Sequence, residues 1–194
     1  MHYCVTLSVM RVPPPMLKIA IVGPESSGKT TLTEALAHHF RCAFTKEYAR
    51  TYLEEHGPGY AEEDILHIAG GQLLVEAEAG KLAEEHGGDL VICDTDMLTI
   101  RIWSEEKFGR CHTLLMRSVQ DVRYDLWLLC KPDMPWQPDP LREDPHDRGR
   151  LFAVYERLLQ EMDRAYVIMH GSHEERMKTA VKAIDALLIG DPAE

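Results

Sequence analysis

The chain has 194 residues, of which 45% are hydrophobic and 27% are charged, and its formal net charge is −11. This length and composition are typical of one globular domain with its own core. The acidic total argues against a nucleic-acid backbone as the main partner, because such partners bind a basic face. The longest apolar runs fall short of the roughly 20 residues of a membrane span, so no membrane partner is expected.

Residues 1–16 precede the first predicted strand and include one arginine and three prolines. They lack the charged start and the small-residue cleavage site of a signal peptide. Because Met16 stands directly before that strand, we interpret residues 1–15 as an extension outside the core, and we hypothesise that they lie upstream of the native start. Residues 17–190 then form the single predicted domain.

Apolar runs alternate with helical patterns along this domain, which predicts a parallel sheet covered by helices. The predicted strands lie at 17–22, at 42–49, within 87–96, at 124–130 and at 165–170. The predicted helices lie at 28–40, 50–55, 62–86, 97–107, 112–123, 151–163 and 174–188. The segment 131–150 contains five prolines and many charges, which predicts a long loop or lid.

The cysteines are five in number and show no Cys-x-x-Cys spacing, and Cys93 and Cys130 fall inside apolar runs. We interpret all five as reduced thiols of a cytoplasmic protein, because disulfides rarely persist in that compartment. The ten histidines show no ligand spacing that indicates a structural zinc site.

The first strand leads into the sequence GPESSGKT, which has the G-x-x-x-x-G-K-[ST] pattern of a phosphate-binding loop. Backbone N–H groups of such a loop surround the phosphates, and glycines supply the conformations that it needs. Lys29 is expected to reach the β and γ oxygens, and Thr30 to offer its hydroxyl to Mg²⁺. The predicted residues of this ATP and Mg²⁺ site are Gly23, Pro24, Glu25, Ser26, Ser27, Gly28, Lys29, Thr30 and Thr31.

Carboxylates follow two of the predicted strands, at the edge of the sheet where ligands bind. Asp94 is expected to hold Mg²⁺ or its water shell, and Asp96 to contact the substrate. The alternative for both is that they cap the helix beginning at Met97. Glu47 ends the second strand, where it can accept the proton of an attacking hydroxyl or bind a sugar hydroxyl.

Two neighbours of Glu47 are further candidates for substrate binding. Arg50 follows three residues later, which places it on the same side of a helical turn. Its alternative is a surface ion pair of little energetic consequence. Tyr48 is either a core residue or a substrate contact.

The predicted lid carries Arg142 and Arg148, cations that can neutralise charge on a transferred phosphoryl group. Trp136 in the same segment predicts stacking on a flat ring, or packing beneath the lid. Asp139 can bind ribose hydroxyls or cap a turn. Gly171, after the last strand, permits close approach of the backbone to a base, although an ordinary turn explains it equally well.

Four of these segments, GPESSGKTTL, EYAR, DTD and PWQPDPLREDPHDR, together resemble the nicotinamide riboside kinase domain of NadR-type proteins, over about Leu17 to Leu188. The resemblance implies transfer of the ATP γ-phosphoryl group to the 5′-hydroxyl of nicotinamide riboside, giving nicotinamide mononucleotide and ADP. It also implies a three-layer P-loop NTPase fold, like that of nucleoside and thymidylate kinases. The implied roles are phosphate and Mg²⁺ binding for Lys29 and Thr30, metal support for Asp94, the base or hydroxyl-orienting group for Glu47, stabilisation of the transferring group for Arg142 and Arg148, and nicotinamide stacking for Trp136.

Two departures from the family pattern stand out. Asp139-Pro140 occupies a place where the family suggests Asp-Gly, which predicts a stiffer lid. The residues before the first strand are too few for the adenylyltransferase domain of multifunctional members, so we expect a stand-alone kinase that does not make NAD itself.

Two rival functions stay open at this point, and the oligomeric state is not predicted. One is another nucleoside or nucleotide kinase, and the other is a P-loop ATPase acting as a regulatory module. A GTPase is disfavoured, because the segment LLCKPD after the fourth strand lacks the Asn of an N-K-x-D motif.

Overall fold

Five parallel strands and seven helices make up the described part of the chain, residues 16–138 and 147–189 of the computed structural model. The strands are β1 (Leu17–Val22), β2 (Ala43–Thr45), β3 (Leu90–Asp94), β4 (Leu126–Cys130) and β5 (Tyr166–Met169). The helices are α1 (Lys29–Phe40), α2 (Tyr48–His56), α3 (Glu62–Glu85), α4 (Met97–Phe108), α5 (Thr113–Asp121), α6 (Arg148–Glu161) and α7 (His173–Ile189). The proposed extension, residues 1–15, lies outside the described residues.

The sheet has the strand order β2-β3-β1-β4-β5, and every neighbouring pair is parallel. Both β3 and β4 are buried along their whole length, as expected for parallel strands covered on two faces. The chain places β2 and β3 on one side of β1 and crosses to β4 and β5 on the other. This switch point beside β1 is where open α/β sheets bind ligands, and the predicted five-stranded parallel sheet is confirmed.

Alternate strand residues supply two separate cores, because successive side chains point to opposite faces of a sheet. Ala20 and Val22 pack in the core formed with α2 to α6. Ile19 and Ile21 pack in the core formed with α1 and α7. The three layers therefore leave the carboxyl edge of the strands as the place where loops from both faces meet.

The start of α2 is fixed by a buried polar network on α3. The backbone N–H of Tyr48 donates to Gln72 Oε1 at 3.0 Å, and Gln72 Nε2 donates to Glu76 Oε1 at 3.3 Å. The buried carboxylate of Glu76 also accepts from Lys18 Nζ at 2.6 Å and from the Tyr124 hydroxyl at 2.9 Å. This network holds in place the point at which β2 gives way to α2.

Some predicted boundaries are wrong. The second strand ends at Thr45 and not at residue 49, because the chain turns into α2 at Tyr48. Helix α6 begins at Arg148, three residues earlier than predicted, so Arg148 stands on a helix and not within the lid. In the described ranges, no helix combines the length and apolarity that crossing a membrane would require.

Candidate active site

The loop between β1 and α1 has the backbone of a phosphate cradle. Gly23 has φ +136°, and a Cβ on it would lie 2.5 Å from the carbonyl oxygen of Cys130. Gly28 has φ +81°, and a Cβ there would lie 2.8 Å from the terminal methyl group of Met134. Gly23 therefore requires glycine for both its backbone conformation and its contact with the Cys130 backbone, and Gly28 requires it for its positive φ. The hydroxyl of Ser27 closes the turn by donating to Pro24 O at 2.7 Å.

Lys29 lies across this loop. Its Nζ donates to the carbonyl oxygens of Gly23 at 2.9 Å and Pro24 at 3.0 Å. The ammonium group is thereby held over the cradle, where it can exchange two carbonyl oxygens for phosphate oxygens. The predicted role of Lys29 is consistent with this position.

Asp94 ends β3 directly beneath the loop. The hydroxyl of Thr30 donates to Asp94 Oδ2 at 2.6 Å, whereas Asp94 Oδ1 is buried with no hydrogen-bond partner in the described ranges. Burial and the nearby carboxylate of Glu47 raise the pKa of Asp94 to about 6, with Lys29 and the Thr30 hydroxyl acting in the opposite direction. A hydroxyl and an unsatisfied carboxylate oxygen are ligands that Mg²⁺ accepts, so the predicted pair fits this metal.

Asp96 is a helix cap, which corrects its prediction as a substrate contact. Its Oδ1 accepts from the N–H of Thr99 at 2.8 Å, and its Oδ2 accepts from Trp127 Nε1 at 2.8 Å. The side chain is buried, and burial raises its pKa. Both oxygens are used inside the fold, so the capping alternative describes Asp96 and not Asp94.

One cleft of about 440 Å³ extends from the phosphate loop between α2, α4 and α6. Glu47, the residue before α2, lines this cleft together with Arg50. Arg50 also lies 4.0 Å from Glu54 in an exposed ion pair, and its contact with the substrate stays a prediction. The remaining lining residues outside the loop and its surroundings include Ala49, Leu53, Tyr60, Thr99, Ile102, Trp103, Glu106, Lys107, Leu151 and Tyr155.

The far end of the cleft is aromatic. The rings of Tyr60 and Trp103 lie 4.8 Å apart in an edge-to-face arrangement, and Trp103 Nε1 donates to the Tyr60 hydroxyl at 2.7 Å. Lys107 Nζ lies 5.0 Å from the centre of the Tyr60 ring. The sequence gives no sign of this pair, because its members belong to α4 and to the turn after α2 and share no local pattern.

Tyr48 belongs to the core and not to the cleft, which corrects its inclusion as a substrate contact. A Cβ on Gly71 would lie 2.0 Å from the Tyr48 ring, so the ring packs directly on the backbone of α3. Tyr48 is absent from the cleft lining. The Gly71 position is therefore needed to let α2 approach α3 closely.

Trp136 lies beside Arg148, whose guanidinium is 5.7 Å from the centre of the indole ring. Arg148 in turn donates to the carbonyl oxygens of Ser26 at 3.2 Å and Met134 at 3.0 Å. Trp136 is not among the cleft-lining residues, so this arrangement does not support its predicted stacking on the acceptor. The other two lid candidates, Asp139 and Arg142, lie outside the described residues.

After β5 the chain contacts the phosphate loop through Arg176, a residue that no sequence motif indicates. Gly171 is exposed, does not line the cleft, and donates its N–H to Asp133 Oδ2 at 2.7 Å. Arg176, one turn into α7, is 2% exposed and contacts the phosphate loop directly. A charged residue in the first turn of an amphipathic helix carries no sign of such burial in the sequence.

Comparison with known proteins places this geometry in context. The chain is 29% identical to the trifunctional NAD biosynthesis/regulator protein NadR of Salmonella typhimurium over 179 residues, which cover 88% of this chain and 42% of that protein. The NadR protein of Escherichia coli is 26% identical over the same length and coverage. The chain therefore spans about two fifths of the length of these curated relatives.

Solved structures share the fold. A NadR protein in complex with NAD and AMP-PNP matches 92% of this chain and 51% of its own, with a TM-score of 0.75 and 23% identity. A NadR protein in complex with NR matches 92% of this chain and 53% of its own, with a TM-score of 0.70 and 22% identity. Thymidylate kinase from Ehrlichia chaffeensis matches 89% of this chain and 99% of its own, with a TM-score of 0.66 and 15% identity.

These comparisons confirm the predicted fold of P-loop kinases and the resemblance to NadR. A family model described as AAA domain matches residues 18–176, which include the phosphate loop, Asp94 and Arg176. The chain belongs to this family of P-loop AAA domains and is homologous to the NadR proteins.

Proposed function

We propose that the protein is a kinase that transfers the γ-phosphoryl group of ATP to the 5′-hydroxyl of nicotinamide riboside. The observation that carries the proposal is that a single cleft joins the phosphate loop to Glu47 and to the aromatic pair Tyr60 and Trp103. Its volume, about 440 Å³, is in the range of small-molecule sites. A hydrolase needs room only for a water beside the phosphate, whereas this cleft has room for an acceptor.

The named relatives support the choice of acceptor. One of the solved NadR proteins is in complex with NR and another with NAD and AMP-PNP, and the curated relatives act in NAD biosynthesis by their names. Nicotinamide riboside has a flat, positively charged ring, which is the kind of group that the faces of Tyr and Trp attract.

The reaction assigns a task to each part of the cleft. Backbone N–H groups of the phosphate loop and Lys29 bind the β and γ oxygens of ATP. Thr30 and Asp94 would hold Mg²⁺, which when bound neutralises charge on the phosphates. Arg148, joined to Ser26 O, braces the loop from the α6 side.

Glu47 is the proposed base, because it lines the cleft whereas Asp94 lies beneath the loop in a bond with Thr30. The acceptor 5′-oxygen forms a bond to the γ-phosphorus as the bond from that phosphorus to the bridging oxygen breaks. ADP leaves with the bonding electrons, and Glu47 takes the hydroxyl proton and releases it to solvent. Such a carboxylate contributes by position as much as by basicity.

An acceptor panel tests the proposal. Purified protein with ATP and Mg²⁺ is supplied with nicotinamide riboside, uridine, thymidine, thymidylate or water alone, and ADP release is measured. The expected result is release that depends on nicotinamide riboside, with a product heavier than the riboside by one phosphoryl group. Glu47→Gln should lower kcat by about 100-fold or more and leave the KM for ATP within about twofold.

Two outcomes would replace the proposal by its rivals. Equal ADP release with and without an acceptor would identify an ATPase. A preference for thymidylate would identify a nucleotide kinase. A thymidylate kinase shares the fold of this chain, so this acceptor is included in the panel.

A further inference from the structure

Arg176 joins three separate loops at the nucleotide end of the cleft. Its Nη1 donates to the Ser27 carbonyl at 2.5 Å, and its Nε donates to the Gly171 carbonyl at 3.1 Å. Its Nη2 donates to the Lys131 carbonyl at 2.8 Å and also bonds Asp133. A single buried guanidinium therefore ties the phosphate loop to the loop after β4 and to the loop after β5.

The bond to Ser27 bears on phosphate binding through the geometry of one peptide group. In a trans peptide the C=O and the following N–H point in opposite directions. Holding the Ser27 carbonyl toward Arg176 therefore turns the N–H of Gly28 away from it, toward the cradle that phosphate oxygens occupy. The Arg176 guanidinium lies 3.5 Å from where a Cβ on Gly28 would be, so it contacts this peptide closely.

Asp133 completes the arrangement. Its Oδ1 bonds Arg176 and its Oδ2 accepts the N–H of Gly171 at 2.7 Å. It is the Asp of the KPD sequence that follows β4, at the place where an N-K-x-D motif would use such a carboxylate to bind a guanine base. In this chain the Asp133 carboxylate instead neutralises the buried Arg176. The pair joins the loops after β4 and β5 to the phosphate loop.

We propose that Arg176, supported by Asp133, is a positioning residue that sets the affinity of the phosphate loop for the nucleotide. This inference rests on the proposed function only in requiring that the loop binds ATP. Arg176 lines the cleft beside the phosphate loop, and it acts by orienting the Gly28 peptide and by fixing the loops after β4 and β5. A role in fold stability alone would change unfolding and leave nucleotide affinity unchanged.

Arg176→Met and Arg176→Lys test the proposal, with Arg164→Met as the matched control. Like Arg176, Arg164 donates to a carbonyl, that of Val119 at 3.5 Å, but it is only half-buried and its guanidinium lies over the Trp127 ring, away from the phosphate loop. The dissociation constant for Mg·AMP-PNP is measured by calorimetry without any acceptor, and thermal unfolding is followed in parallel. Because no acceptor is present, failure of this inference is separable from failure of the proposed acceptor.

The expected result is a loss of AMP-PNP affinity of about tenfold or more in Arg176→Met, partly restored in Arg176→Lys, since an ammonium reaches some but not all of the four acceptors. In turnover, the KM for ATP should rise while the KM for the acceptor stays within about twofold. Arg164→Met should bind AMP-PNP as tightly as the wild type, even where its unfolding temperature falls.

Unchanged affinity in Arg176→Met, or an equal loss in Arg164→Met, would overturn the proposal. If Arg176→Met does not fold, Asp133→Asn takes its place, because it keeps the size of the side chain and removes the charge that the guanidinium pairs with. That variant should lose affinity for AMP-PNP by at least about threefold, and an unchanged affinity would likewise overturn the proposal.

Discussion

The ionisation of Asp94 should make the protein less stable as the pH rises from 4 to 7. Burial and Glu47 raise the pKa of Asp94 from 3.8 in an unfolded chain to about 6 in the folded one. Between these two values the unfolded chain has already lost the proton that the folded protein keeps. The unfolded state therefore binds fewer protons in this range, and the free energy of unfolding falls as the pH rises.

The size of the effect follows from the shift. A difference of about two pKa units corresponds to about 3 kcal/mol, because each unit is worth about 1.4 kcal/mol. In Asp94→Asn this contribution disappears. Because part of this difference is already present at pH 4, the difference in unfolding free energy between Asp94→Asn and the wild type should grow by about 2 kcal/mol, in favour of the variant, from pH 4 to pH 7. Packing changes caused by the substitution cancel in this comparison, since they do not depend on pH.

Urea unfolding at half-unit steps of pH measures the difference directly. Asp121→Asn, at the exposed end of α5, controls for the loss of one negative charge from an acidic protein. Glu47→Gln removes one of the two causes of the shift, so in that background the growth should be smaller. A difference that stays flat from pH 4 to pH 7, or that shrinks, would refute the assignment of Asp94 as a destabilised carboxylate of the site.

Three further results are expected. Lys29→Ala should lower kcat by about 100-fold or more in the acceptor assay, because its ammonium is the charge held over the phosphate loop; turnover within tenfold of the wild type would contradict this. Trp103→Leu should raise the acceptor KM by more than Trp136→Leu, since Trp103 lines the cleft and Trp136 lies beside Arg148; the reverse order would restore the stacking role of Trp136. In urea unfolding, Gly71→Ala should destabilise the protein by about 1–3 kcal/mol, because its methyl group would clash with the Tyr48 ring. Gly70→Ala has open space around it and should stabilise α3 by up to about 1 kcal/mol. Equal effects of the two substitutions would show that the Tyr48 ring moves without cost.

The sheet and the phosphate loop were predictable because their signals are local. A buried parallel strand is a short apolar run, and β1 is followed at once by the glycines and the lysine of the loop. The end of β2 was not predictable in this way, since the chain leaves the sheet where Gln72 on α3 accepts the N–H of Tyr48. Gln72 lies 24 residues away from Tyr48, and no sequence pattern predicts the hydrogen bond between them.

The site, too, combines residues with a local sequence signal and residues that meet only through long-range contacts. Glu47 and Asp94 were predictable as candidates because strand ends mark the ligand edge; Asp94 ends β3 and Glu47 follows β2, and their roles stay predictions. Trp103 and Tyr60 meet across 43 residues, and Arg176 meets Ser27 across 149. Contacts of this range are decided by the packing of whole helices, so a single sequence contains the residues without indicating that they pair.

Asp94 and Lys29 lie in surroundings that a bound nucleotide and metal ion would make more favourable. Among the described residues, one buried oxygen of Asp94 has no hydrogen-bond partner and lies near the carboxylate of Glu47, and Lys29 donates to two carbonyl oxygens of the loop. A bound nucleotide with its Mg²⁺ would stabilise both groups, because the phosphates attract the Lys29 ammonium and the metal attracts the Asp94 carboxylate. ATP and Mg²⁺ should therefore bind cooperatively, each strengthening the affinity for the other. Asp94→Asn should weaken that cooperativity, whereas Arg176→Met should weaken nucleotide binding with and without the metal. The two variants thus separate a residue that binds the cation from one that shapes the loop.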